Sequence, residues 1–135
     1  MVNQTLLGVL RYGNNHLVAY LDWPDMYGYY RALLPKYYKM GPSLYPPHVT
    51  CIRGYAKEGN LVEPIDAAKK GAFWGKYEGE LVDFQYDPVL KSDERFIYFW
   101  LNMWSERIGD IREELGLARI HPRFDCYHAT VGNAK

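Results

Sequence analysis

Short apolar runs bounded by glycine, proline and asparagine recur along this chain, and they predict more strand than helix. Residues 6–11 and 17–21 flank Tyr12-Gly13-Asn14-Asn15-His16, a turn-rich segment that predicts a β-hairpin. Asp22 can cap a following helix with Pro24 in its first turn, and Met26, Tyr30, Leu33 and Leu34 recur there at helical spacing. Pro35 stops it, because the residue before a proline avoids the helical region. A strand is predicted after Pro46-Pro47 and a short helix over 64–70, followed by a glycine-bounded loop over 71–75. Strands are predicted over 78–86, 94–102 and 124–131. The second is apolar on both faces, so it is expected to be central and doubly covered. Ser105 caps a last helix that carries Ile108, Ile111 and Leu115 on one face and ends at Gly116. The predicted order is β-β-α-β-α-β-β-α-β, an α+β domain of two small sheet lobes.

Two of these strands carry the same pattern. Pro47-His48-Val49-Thr50-Cys51-Ile52-Arg53 and Cys126-Tyr127-His128-Ala129-Thr130-Val131-Gly132 each place a histidine two residues before a threonine. Strand side chains alternate faces, so His48 and Thr50 share one face and His128 and Thr130 share another, with Val49 and Cys51 turned to the core. Two imidazoles titrating near neutrality suit a reaction with two proton transfers. Cleavage of a phosphodiester beside a free 2′-hydroxyl is such a reaction: a base takes the 2′-hydroxyl proton and an acid protonates the departing 5′-oxygen. Threonine hydroxyls can donate to the non-bridging oxygens. His16 and His121 lack a threonine at the second position and read as surface or loop residues. A zinc site from His48, Cys51, Cys126 and His128 conflicts with strand parity, since Cys51 points away from His48. No metal and no cofactor is expected.

Composition narrows the partner. The chain's 135 residues fit one domain, 1–135, and its 16 basic residues are matched by 16 acidic ones. A duplex nucleic-acid binder usually carries a positive excess, so no long nucleic acid is expected. Thirteen tyrosines are an unusual number, and their rings can fill a core or stack on bases. Tyr12 and Trp74 are candidates for base stacking, and Lys36 for a phosphate contact. The N-terminus lacks the basic and apolar segments of a secretory signal, and no run is long enough to cross a membrane. A cytoplasmic protein with two reduced cysteines is expected.

With both motifs quoted, the chain resembles the 2H phosphoesterase superfamily. The segments 29–38, 47–50 and 127–133 resemble its phage-encoded anti-CBASS branch, enzymes that destroy the cyclic oligonucleotide signals of bacterial antiphage systems. The resemblance implies a bilobal fold, two mainly antiparallel sheets facing a central groove with helices outside. It implies a metal-independent phosphodiesterase acting on 3′,5′-linked cyclic di- or oligonucleotides in the host cytoplasm. His48 and His128 would be its acid–base pair, and Thr50 and Thr130 its phosphate ligands. An RNA-end phosphodiesterase opening 2′,3′-cyclic or 2′–5′ linkages, and a non-catalytic cyclic-nucleotide sponge, are the alternatives.

Overall fold

A computed structural model describes residues 4–13, 16–22, 24–33, 47–53, 75–93, 95, 98–121 and 124–133. The hairpin forms as expected, from β1 (Gln4–Gly13) and β2 (His16–Leu21), in register from Gly8 opposite Leu21 to Gly13 opposite His16. Helix α1 (Pro24–Ala32) begins on Pro24, whose missing N–H costs nothing there. Its Tyr30 is buried and donates through its hydroxyl to the Pro88 carbonyl at 2.7 Å. Leu33, by contrast, lies past the helix end and is exposed. The helix expected over 64–70 lies outside the described residues, as do Lys36 and Trp74.

Strands β3 (His48–Arg53), β4 (Leu81–Tyr86), β5 (Lys91–Ser92), β6 (Tyr98–Trp104) and β7 (Tyr127–Asn133) complete the sheet. β4 starts three residues later than the expected 78–86, because 75–79 form a turn with Gly75 and Gly79 at φ 92° and 83°. β6 is not doubly covered: Phe99, Leu101 and Met103 are buried while Tyr98, Trp100, Asn102 and Trp104 stay partly open. Helix α2 (Glu106–Glu114) is capped as its sequence predicts. The Ser105 hydroxyl accepts from the Ile108 N–H, and Gly116 at φ 84° lets the Leu117 and Gly116 N–H groups close on the carbonyls of Arg112 and Glu113.

The bilobal α+β architecture is not what the chain forms. All described pairings are antiparallel, in the order β4-β1-β2-β3-β7-β6-β5, and β4 pairs β6 as well. Six strands therefore close into one barrel, with β5 added beside β6 and only two short helices among the described residues. The closure comes from β4, which meets β1 along one edge and Gln85–Tyr86 with Met103–Trp104 of β6 along the other. Period-two alternation gives each strand one apolar face. Here those faces turn inward together around Leu10, Leu17, Val49, Phe84, Leu101 and Ala129, all fully buried, where two separate sheets would need two such cores. Helix α2 adds Ile108, Ile111 and Leu115 to the same core. Among the described residues no helix is long and apolar enough to cross a membrane.

Two parts of the barrel repeat one plan. β2–α1–β3 and β6–α2–β7 are each an antiparallel strand pair joined through a helix, and the second strand of each carries His-x-Thr. In each, the register slips by one residue just after the threonine. Val18 faces Thr50 while Leu17 faces Ile52, leaving Cys51 as the extra residue. Trp100 faces Thr130 while Phe99 faces Gly132, leaving Val131 extra. Each extra residue gives its carbonyl to an arginine from the other unit's helix: Arg112 of α2 donates to the Cys51 carbonyl at 2.8 Å, and Arg31 of α1 to the Val131 carbonyl at 3.0 Å. A bulge breaks the ladder and strips a carbonyl of its strand partner, and here a guanidinium replaces it.

Candidate active site

β3 and β7 lie side by side, with Val49 opposite Ala129. One step either way along antiparallel strands puts His48 opposite Thr130 and Thr50 opposite His128. Val49 and Ala129 are fully buried, so these four side chains share the opposite face, and all four are half-buried. The face assignments read from strand parity hold on both strands. Each histidine therefore stands beside the other motif's threonine, with the two histidines on the diagonal. Diagonal neighbours across an antiparallel pair are roughly 7–8 Å apart at Cα.

The same rungs extend to the neighbouring strands. Tyr20 of β2 faces His48, with ring centroids 6.0 Å apart. Trp100 of β6 faces Thr130, and Asn102 faces His128. The Trp100 indole N–H donates to the Asn102 side-chain oxygen at 2.9 Å and meets the His128 ring edge-on at 5.6 Å. Phe124 also meets His128 edge-on, at 5.0 Å. Two aromatic rings, Trp100 and Phe124, thus pack against His128.

A small cleft of about 10 Å³, room for about one water, is lined by Thr50, Arg53, His121, Phe124 and His128 among others. Of the surface or loop positions expected for His121, the loop is what it occupies, since it lies outside the helices and strands. It is buried, 5.2 Å from Phe124, in the wall of this cleft. A larger cleft of about 610 Å³ opens between β4 and the start of α2, beside Trp104 and Glu106. Its arginine, Arg107, is held in a two-pronged pair with Glu80 at 2.6 and 2.9 Å, and no histidine lines it. Of the four motif residues, Thr50 and His128 line the small cleft, and none lines the larger one.

Burial holds the His128 imidazole below its ordinary pKa of 6.5, the Arg53 charge adds to this, and Asp125 partly opposes it. His128 is therefore neutral at pH 7. An unfolded chain restores its ordinary pKa, so between the two values the unfolded state binds more protons and stability falls as pH falls. Melting temperature should drop on going from about pH 7 to pH 5, and His128→Gln should make that drop smaller. An identical pH dependence in the variant would refute the buried, neutral imidazole.

Not every candidate joins this face. Tyr12 faces Leu17 on the core side of the hairpin and packs against the core. Burial raises its hydroxyl pKa. Cys51 is a fully buried core residue whose thiol is pushed up to about 12, and Cys126 is buried at the cleft wall. Arg53 was missed as a site residue. Its signal is the pair of consecutive apolar residues Cys51-Ile52, which breaks the alternation and moves the next side chain to the other face. Comparison with known proteins adds no relative: no family model, curated protein or solved structure matches the chain.

Proposed function

We propose that the chain is a metal-independent phosphodiesterase that linearises 3′,5′-linked cyclic di- or oligonucleotides through the 2′-hydroxyl, as the resemblance to the anti-CBASS branch implies. The observation that supports it is the crossed placement of the two His-x-Thr pairs on one open face. The bilobal architecture offers no support, so the reading rests on the site and on the quoted motifs.

The steps follow from which groups can give and take protons. His128, neutral at pH 7, accepts the 2′-hydroxyl proton as the 2′-oxygen bonds to phosphorus. His48 gives a proton to the 5′-oxygen as the P–O5′ bond breaks. Thr50 and Thr130 donate to the non-bridging oxygens, where charge builds in the transition state. The product is a 2′,3′-cyclic phosphate, which water can open with the histidines in exchanged roles.

Incubation in EDTA with a 3′,5′-linked cyclic dinucleotide, followed by chromatography, should show complete conversion, and a 2′-deoxy analogue should remain intact. Cleavage of the deoxy analogue at the same rate would overturn the 2′-hydroxyl mechanism. Faster turnover of RNA ends than of cyclic dinucleotides would move the substrate to RNA, and tight binding without cleavage would make the protein a sponge.

A further inference from the structure

β3 changes face between Thr50 and Arg53. In an unbroken strand these two residues, three apart, would point to opposite sides. The extra residue Cys51 alters this: Cys51 and Ile52 both turn to the core, at 1% and 0% exposure, and Arg53 emerges half-buried on the histidine–threonine face. Bulges are over-represented beside active sites, where they re-aim a side chain. This one is built in firmly, because the buried Arg112 guanidinium holds the Cys51 carbonyl and the Cys51 side chain fills the core beneath it.

The surroundings of Arg53 show where it has been aimed. Its guanidinium carbon lies 5.3 Å from the Phe124 ring centroid, and the same ring meets His128 at 5.0 Å. One aromatic side chain thus sets the guanidinium and the imidazole relative to each other, and both line the cleft with Thr50. The planar fork of a guanidinium matches two phosphate oxygens at once. Beside a neutral imidazole and a hydroxyl, it supplies fixed positive charge to a site in a chain of zero net charge.

We propose that Arg53 is a catalytic residue that binds a non-bridging oxygen of the scissile phosphate beside Thr50, and that the bulge at Cys51 exists in this fold to place it there. The proposal rests on the phosphodiesterase reading of the site. In the transition state the phosphoryl oxygens gain charge, and a guanidinium already held on Phe124 meets that charge without reorganising. The charged groups that act on His128 are Arg53 from β3 and Asp125 from the segment before β7, so removing Arg53 also leaves Asp125 unopposed.

Arg53→Gln and Arg53→Lys, with folding checked by melting temperature, test it. For Arg53→Gln, kcat on a cyclic dinucleotide should fall by about 10²–10³-fold, with a smaller change in KM. Arg53→Lys should recover part of it, since the charge returns without the planar fork. The lower limb of the kcat/KM pH profile should move to higher pH in the glutamine variant and stay in the lysine variant, a response that a structural residue would not give. Wild-type kcat in Arg53→Gln, or an unmoved limb, overturns the proposal. Inorganic phosphate binding, followed through the His128 ring proton in NMR titrations, separates the two readings. If the wild-type protein cuts no phosphodiester, the phosphodiesterase reading fails. The anion site then stands if phosphate binds wild type at least 10-fold more tightly than Arg53→Gln, and falls if the two bind alike.

Discussion

Replacing His48 or His128 by alanine should lower the rate of cyclic dinucleotide cleavage by about 10²–10⁴-fold, the usual worth of one positioned proton transfer. The two losses should not multiply. In the proposed mechanism acid and base serve a single displacement, and once one is missing the other has little left to assist, so the double variant should lie close to the weaker single variant. The crossed arrangement adds a second expectation. Each histidine stands beside the other motif's threonine, so a lost hydroxyl is felt first by the histidine of the opposite strand. Thr50→Val should therefore disturb the limb of the pH profile that belongs to His128 more than the other limb. Single-turnover chromatography with equal amounts of folded protein gives the rates. A double alanine variant that turned over like wild type would remove the histidines from the chemistry.

How much of this was legible in the chain depends on the range of the interaction. Strand parity is local, and from it the common face of His48 and Thr50, the common face of His128 and Thr130, and the inward Val49 and Cys51 could all be read. So could the Ser105 cap and the Gly116 stop, because both act within one helical turn. The barrel could not. Alternation tells a strand which side is apolar but not which partner it takes, and closure depends on β4 meeting both β1 and β6. Tyr12 is a different case, since its signal was present. It lies two residues from the fully buried Leu10, and the same parity argument that sorted His48 would have turned it inward. Arg53 also had a signal, the consecutive apolar residues Cys51-Ile52, but the bulge they mark inverts parity for every residue after it. His121, with no threonine at the second position, reads as surface or loop; it lies in a loop, but buried in the cleft wall near Phe124.

The arginine pins let the bulges be weighed by stability alone. Arg112 is 1% exposed and its guanidinium bridges two carbonyls, taking Ala118 through Nε at 2.7 Å and Cys51 at 2.8 Å. Arg112→Met keeps an apolar stem but leaves both carbonyls without that donor in a space that water reaches poorly. Stripping a buried group of its partner costs about 1–3 kcal/mol, so the pair should cost about 3 kcal/mol and lower the melting midpoint by about 10 °C. Arg31 makes the equivalent bond to Val131 from a half-buried position, where water can take its place. Arg31→Met should therefore cost about 1 kcal/mol or less. The contrast matters more than either value. If the two variants melt alike, the Cys51 carbonyl is not held by Arg112 in the way described. If Arg112→Met alone is severe, and its surviving folded fraction also loses phosphate binding at Arg53, then one buried guanidinium supports both the barrel wall and the cation delivered to the cleft.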